Sequence, residues 1–193
     1  MVRRAIMGGT FDPPHLAHLV AGEAAFRSLD VDVVTFIPAG APWQKADREV
    51  TDAAHRWEMT RLATEGVDYF EADDREVHRD GWTYTIDTVD SFPDDDELTL
   101  ILGSDAAAGI GTWERSERLL REVRLAVAER PGTDRQAVEA EVGEVTWLEM
   151  PRLPVSGTEL RRIARGGGSI RFLVRESVWA YIDRHGLYRE TPG

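Results

Sequence analysis

The chain has 193 residues, 42% of them hydrophobic, with 35 acidic against 23 basic side chains, a formal net charge of −12 and no cysteine. That length suits one domain with a sizeable core, the lack of cysteine excludes a disulfide framework and a thiolate metal site, and the acidic balance disfavours nucleic acid and anionic membranes as partners. No run of about 18 apolar residues occurs, so no membrane span is expected, and the apolar stretch behind Met1 is too short for a secretory signal, which makes a cytoplasmic location the expectation.

Residues 4–8 read as a short apolar strand that ends in a glycine-rich turn, and Leu16, Leu19, Val20 and Ala24 then fall at helical spacing. Residues 31–37 are rich in β-branched side chains and bounded by Asp30 and Pro38, the pattern of a buried strand. A helix is predicted over 51–65 with Thr51 as its cap, then a strand at 67–71 and a helix within 83–91. The run at 98–103 is the strongest buried-strand signal in the chain. A helix at 116–121, a strand at 123–128, a helix at 134–142 and an extended stretch at 144–149 follow, and two helices at about 157–165 and 175–185 close the chain. Strands alternating with helices predict a parallel sheet covered on both faces. The expected fold class is α/β, a Rossmann-like doubly wound parallel sheet with a small C-terminal helical segment at about 156–189, in a single domain spanning residues 1–193.

Chemistry concentrates at predicted strand ends. Gly8, Gly9 and Thr10 close the first strand, Phe11 to Pro14 follow, and His15 and His18 open the first helix three positions apart, on one face. Glycines there let backbone N–H groups approach a phosphate, a helix N-terminus favours anions, and two imidazoles can donate hydrogen bonds to oxyanions. Gly-Gly-Thr alone could be a plain turn, and two histidines at that spacing could bind a metal; the order of the pieces favours nucleotide phosphates. Near the other end, Ser156 and Glu159 have capping-box spacing, and Ser156, Thr158 and Arg161 offer donors at a new helix start. After the second strand, Pro38 to Lys45 form a shaped loop ending in Lys45, the one lysine in the chain.

The string from Gly8 to Leu19 resembles the nucleotidyltransferases with an HxGH signature, and most of all the bacterial nicotinate-nucleotide adenylyltransferases, with Ala17 standing where the family pattern has glycine. Val155 to Arg161 resembles the family's ISSTxIR signature, with Val155 for isoleucine and Gly157 for a serine. Tyr84 to Thr88 resembles its YTxDT motif, Gly103-Ser104-Asp105 its GxD, and Arg130-Pro131-Gly132 its RPG, while Arg56 begins a stretch like its R-x-x-M helix and reads equally as a ligand contact or a structural ion pair.

The resemblance implies adenylyl transfer from ATP to nicotinic acid mononucleotide, giving the dinucleotide and pyrophosphate. It implies His15, His18, Lys45 and Arg161 as the catalytic groups and Gly8, Gly9, Thr10, Phe11, Arg130, Ser156 and Thr158 around ATP. Tyr84, Thr85, Asp105 and Trp113 would receive the mononucleotide, Trp113 by stacking on the pyridine ring. Mg²⁺ would travel with ATP, and no dedicated protein metal cage is expected. The alternatives are the same chemistry on nicotinamide mononucleotide or phosphopantetheine, or a non-catalytic nucleotide sensor. Oligomeric state stays open, with a homo-oligomer allowed. His55, His78, His185 and the tail through Tyr188 are read as structural.

Overall fold

The structure, a computed structural model, describes residues 1–42 and 50–189. Six strands, β1 (Arg3–Gly9), β2 (Val33–Pro38), β3 (Phe70–Ala72), β4 (Glu97–Gly103), β5 (Arg124–Ala128) and β6 (Thr146–Leu148), form one sheet in the order β3-β2-β1-β4-β5-β6. All five neighbouring pairs run parallel, and the strand order reverses between β1 and β4, the arrangement of a doubly wound sheet.

Strand alternation sorts the core into two layers. Ala5 and Met7 of β1, Ile101 of β4 and Ala126 of β5 pack with Phe36 and helix α1 (Leu16–Ser28) on one face. Ile6, Leu100, Leu102, Leu125 and Val127 point to the other, under α3 (Thr85–Val89), α5 (Ser116–Glu122) and α6 (Arg135–Val142). Both faces being covered is why these strands read as continuous apolar runs. A third cluster joins Met59 and Ala63 of α2 (Ala53–Thr64) to Leu160 of α7 (Gly157–Arg165) and to Val178 and Ile182 of α8 (Glu176–His185), so the C-terminal helices are packed on α2 by their own apolar stripe. Among the described residues, no helix is long and apolar enough to cross a membrane.

The predicted order of elements holds, with local differences. Helix α2 is capped by Asp52, whose Oδ1 accepts from the N–H of Ala54 at 2.8 Å, and not by Thr51. Thr51 is engaged elsewhere: its N–H donates to Asp12 and its carbonyl accepts from Arg56. Strand β3 starts three residues later than expected, because Val67 to Phe70 close a hydrogen-bonded turn, Phe70 N–H to Val67 carbonyl, 2.9 Å. Two short elements carry no apolar period of their own and were not anticipated: α4 (Ser104–Ala108) and a 3₁₀ turn at Ile110–Thr112. The capping box at α7 is half-formed. Ser156 Oγ accepts from the N–H of Glu159 at 3.2 Å, but the Glu159 carboxylate turns to Arg162, at 2.6 and 2.9 Å.

Candidate active site

The cleft follows from strand pairing. β1 and β4 pair from Arg3↔Glu97 to Ile6↔Leu100 and then part, whereas β1 stays paired with β2 to Gly9↔Pro38 and β4 with β5 to Gly103↔Ala128. The gap opens at the carboxyl ends, at the switch point where doubly wound sheets bind ligands. A cavity of about 510 Å³ fills it, lined by Met7 to Thr10 on one side and Ile101 to Gly103 on the other.

His15 and His18 stand at its wall. His15 is the N-cap of α1, 2% exposed, and its ring stacks on His18 with centroids 3.7 Å apart and 22° between planes. Burial, and then the positive charge of Arg130, pushes its imidazole down from 6.5 to about 4, so the ring is neutral at physiological pH. Its Nδ1 is buried without a hydrogen-bond partner among the described residues. His18 Nδ1 accepts the backbone N–H of His15 at 3.2 Å. An acceptor cannot carry the proton, so the neutral ring of His18 holds its hydrogen on Nε2 as a donor. Phe11 supports this ring from behind, edge-on at 4.9 Å and 2% exposed, with a left-handed φ of 48°. The first helical N–H, that of Leu16, is taken by the carbonyl of Leu173 at 3.0 Å.

Arg130 lies on the β5 side of the cavity. Its backbone N–H is held by Ser104 Oγ at 3.1 Å and Thr133 Oγ1 at 3.3 Å, and its guanidinium lies 3.5 Å from Asp105. Asp105 sits in the first turn of α4, one of the elements without a sequence signal. Thr85, Trp113 and Ser156 also line the cavity, and Trp113 packs its inner side against the core as well.

The remaining expected residues stand outside the lining. Tyr84 is the N-cap of α3 and packs on the core. Thr158 lies 3.5 Å from Arg161, and Arg161 donates to the carbonyl of Asp12 at 2.7 Å. Gly157 permits that junction: a Cβ there would lie 2.9 Å from the Asp12 carbonyl oxygen. The glycine standing for the family's serine therefore marks a close approach of α7 to the motif loop. Lys45 lies outside the described residues.

Three residues take their roles only from the tertiary structure. Arg56, 1% exposed, donates to the carbonyls of Thr51 (2.8 Å), Thr10 (3.0 Å), Gly40 (2.8 Å) and Ala39. Among the described residues it is neither on the cavity wall nor in a direct ion pair; it straps the β1 loop to the β2 loop. Glu76 lines the cavity at 7% exposure, with its carboxyl pushed up by burial and its Oε1 accepting from the Thr88 hydroxyl. Asp12, 5% exposed, is the acceptor at which four segments meet. Asp12 and Arg56 stand inside motif strings, where being polar does not distinguish a buried strut from a ligand contact, and Glu76 lies in no motif and carries no signal in the sequence.

The family model described as cytidylyltransferase-like matches residues 6–163. A protein of Thermoanaerobacter sp. named "Probable nicotinate-nucleotide adenylyltransferase" is 39% identical, over 98% of this chain and 95% of its own length. One of the same name from Salinibacter ruber is 40% identical over 96% of this chain and 97% of its own. This chain belongs to the nicotinate-nucleotide adenylyltransferase family. The fold agrees: the nicotinic acid mononucleotide adenylyltransferase of Plasmodium falciparum, solved in complex with NaAD, superposes with a TM-score of 0.80 at 20% identity, covering 97% of this chain and 98% of that one. The family membership covers both the sheet that opens the cleft and the histidine motif on its wall.

Proposed function

We propose that this chain is an enzyme of NAD biosynthesis that transfers the adenylyl group of ATP to nicotinic acid mononucleotide, forming nicotinic acid adenine dinucleotide and releasing pyrophosphate. The observation that carries this reading is the stacked pair of His15 and His18 on the wall of the switch-point cavity, with the His15 ring held neutral by burial.

The nucleophile is the 5′-phosphate of the mononucleotide. Its second ionisation lies near pH 6, so it is largely dianionic at neutral pH and needs no general base. One of its oxygens bonds to the α-phosphorus of ATP as the bond from that phosphorus to the bridging oxygen breaks, and pyrophosphate leaves with the electron pair. Charge gathers on phosphate oxygens, so catalysis rests on placement and on donors already aimed. His18 Nε2–H is one such donor, and the His15 ring stacked on it stands at the same cavity wall.

Arg130, Ser156, Thr158 and the Gly8 to Phe11 segment serve the ATP side, by direct contact or by support. Lys45 and Arg161 clamp the leaving pyrophosphate, Arg161 with the guanidinium N–H groups that Asp12 leaves open. Thr85, Asp105 and Trp113, with Tyr84 behind them, shape the end that takes the pyridine nucleotide. Mg²⁺ would enter with ATP and would neutralise charge on its phosphates, with no protein side chain assigned to it. Among the described residues there is no group of three or more His, Cys, Asp or Glu side chains that could hold a metal.

The test is pyrophosphate release from ATP and Mg²⁺ with nicotinic acid mononucleotide, nicotinamide mononucleotide and phosphopantetheine in parallel. A strong preference for the nicotinate acceptor is expected. Preference for another acceptor would keep the phosphate chemistry and overturn the substrate, and ATP binding without release would make the chain a sensor.

A further inference from the structure

The motif loop between Thr10 and His15 is held from behind by the far end of the chain. Asp12 is 5% exposed and absent from the cavity wall, yet its carboxylate is fully engaged. Oδ1 accepts from the hydroxyl of Tyr188 at 2.7 Å, and Oδ2 accepts from the N–H of Thr51 at 3.2 Å. The backbone carbonyl of the same residue accepts from Arg161. Three residues further on stands His15, whose backbone N–H in turn orients the His18 ring.

Tyr188 lies just beyond α8 and holds a left-handed φ of 65°. A bulky side chain adopts that backbone only where its surroundings over-determine it. Here the ring packs in the C-terminal cluster, and its hydroxyl sits 3.8 Å from Met59 Sδ as well as on Asp12. The C-terminal segment also grips the other flank of the motif, through the Leu173 carbonyl on Leu16 N–H. The loop carrying His15 is therefore clamped at both shoulders by residues more than 150 positions away in sequence.

We propose that Tyr188 is a positioning residue for the reaction: through Asp12 it fixes the loop that presents His15 and His18 to the phosphates. The proposal rests on the activity assigned above and extends it to a residue that touches no substrate. Reactions that depend on placed donors are sensitive to small shifts, with a misplacement of about 1 Å costing on the order of 10²-fold in rate.

The test is Tyr188→Phe, which removes one oxygen and keeps the ring in its apolar seat. Tyr181→Phe is the control, since Tyr181 loses an equivalent bond, to His55 Nδ1 at 2.8 Å, in the same C-terminal region but away from the motif. Tyr188→Phe should lower kcat about tenfold while KM for both substrates stays within about twofold, and Tyr181→Phe should keep wild-type kcat, with both variants folded at the assay temperature by circular dichroism. In a His18→Ala background, Tyr188→Phe should cause no further loss, because it acts through the histidines. Wild-type turnover of Tyr188→Phe, or the same loss with and without His18, would overturn the proposal. A second readout is independent of turnover: the imidazole resonances of His15 and His18 should move in Tyr188→Phe and stay in place in Tyr181→Phe, and unmoved resonances in both would also overturn it. Inactivity of the unaltered protein with every acceptor would overturn the assigned reaction instead, and the resonances would still decide the role of Tyr188.

Discussion

His15 and His18 share a helix face, a stacking contact and a cavity, but they differ in environment. His18 has its Nδ1 accepting a backbone N–H, which places the ring hydrogen on Nε2, so His18→Ala should lower kcat by about 10²-fold, the size of losing one aimed oxyanion donor. Steady-state turnover measures this, and a near-normal rate would remove His18 from the chemistry. His15 makes a prediction about pH. Its folded value of about 4 lies below the ordinary 6.5. Between these two values the unfolded chain binds a proton that the folded chain refuses, so stability rises with pH across that window. The stability is fully present above about 6.5 and is lost progressively as the pH falls toward 4, by on the order of 3 kcal/mol. Urea unfolding followed from about pH 7 down to pH 4 should show this decline in the wild type and a shallower one in His15→Gln; parallel slopes would contradict it. The residue types and their spacing were legible in the sequence. The stacking, the neutral charge state and the orphaned nitrogen were not, because each depends on what surrounds the rings.

At the scale of elements, loops at the ends of β1 and β2 form the cavity rim, and buried groups hold them. Arg56 gives its guanidinium to four backbone carbonyls drawn from both loops and from the segment before α2. Burial lowers its pKa, a shift that the nearby Asp12 and Asp52 charges oppose. Arg56→Met would leave those carbonyls without a donor, and unsatisfied buried polar groups cost about 1–3 kcal/mol each before water relieves some of them. A loss of about 3 kcal/mol or more in urea unfolding is expected; a loss below about 1 kcal/mol would show that the strap is dispensable. Gly40 completes the same rim, since a Cβ there would lie 2.1 Å from the Glu76 carbonyl oxygen, leaving no room for a side chain. The elements themselves were readable from period and punctuation. What escaped was α4 and the 3₁₀ turn after it, five and three residues long, too short to show a period of 3.6.

For the whole molecule, the C-terminal helices share a core with α2, which is itself anchored to the β1 and β2 loops through Arg56. We propose that the sheet and the C-terminal segment unfold together as one domain. Leu160, 1% exposed in α7, tests this. Leu160→Ala should cost about 2–5 kcal/mol and shift the entire far-ultraviolet circular dichroism transition to lower temperature as a single step. A separate early transition, with the sheet melting at its original midpoint, would show two independent units. The acidic surface, with a net charge of −12, surrounds a cavity whose wall carries Arg130. The same wall carries Glu76, Asp105 and Glu129, so the anionic substrates are met by local geometry and placed donors rather than by the overall field.

Local pattern carried most of the architecture. Apolar runs bounded by turn residues marked the strands, helical spacing marked the helices, and βα alternation implied the parallel sheet, because each of these is written in neighbouring residues and needs no distant partner. The glycine-histidine motif likewise announced phosphate chemistry from side-chain type and spacing. The tertiary structure decided what the polar residues within those motifs do. Arg161 turns to the Asp12 carbonyl, Phe11 backs a histidine, Arg56 straps loops and Tyr188 reaches Asp12 across 176 positions of sequence. A hydrogen bond between residues so far apart leaves no periodic trace. It exists only once the chain has folded and brought donor to acceptor.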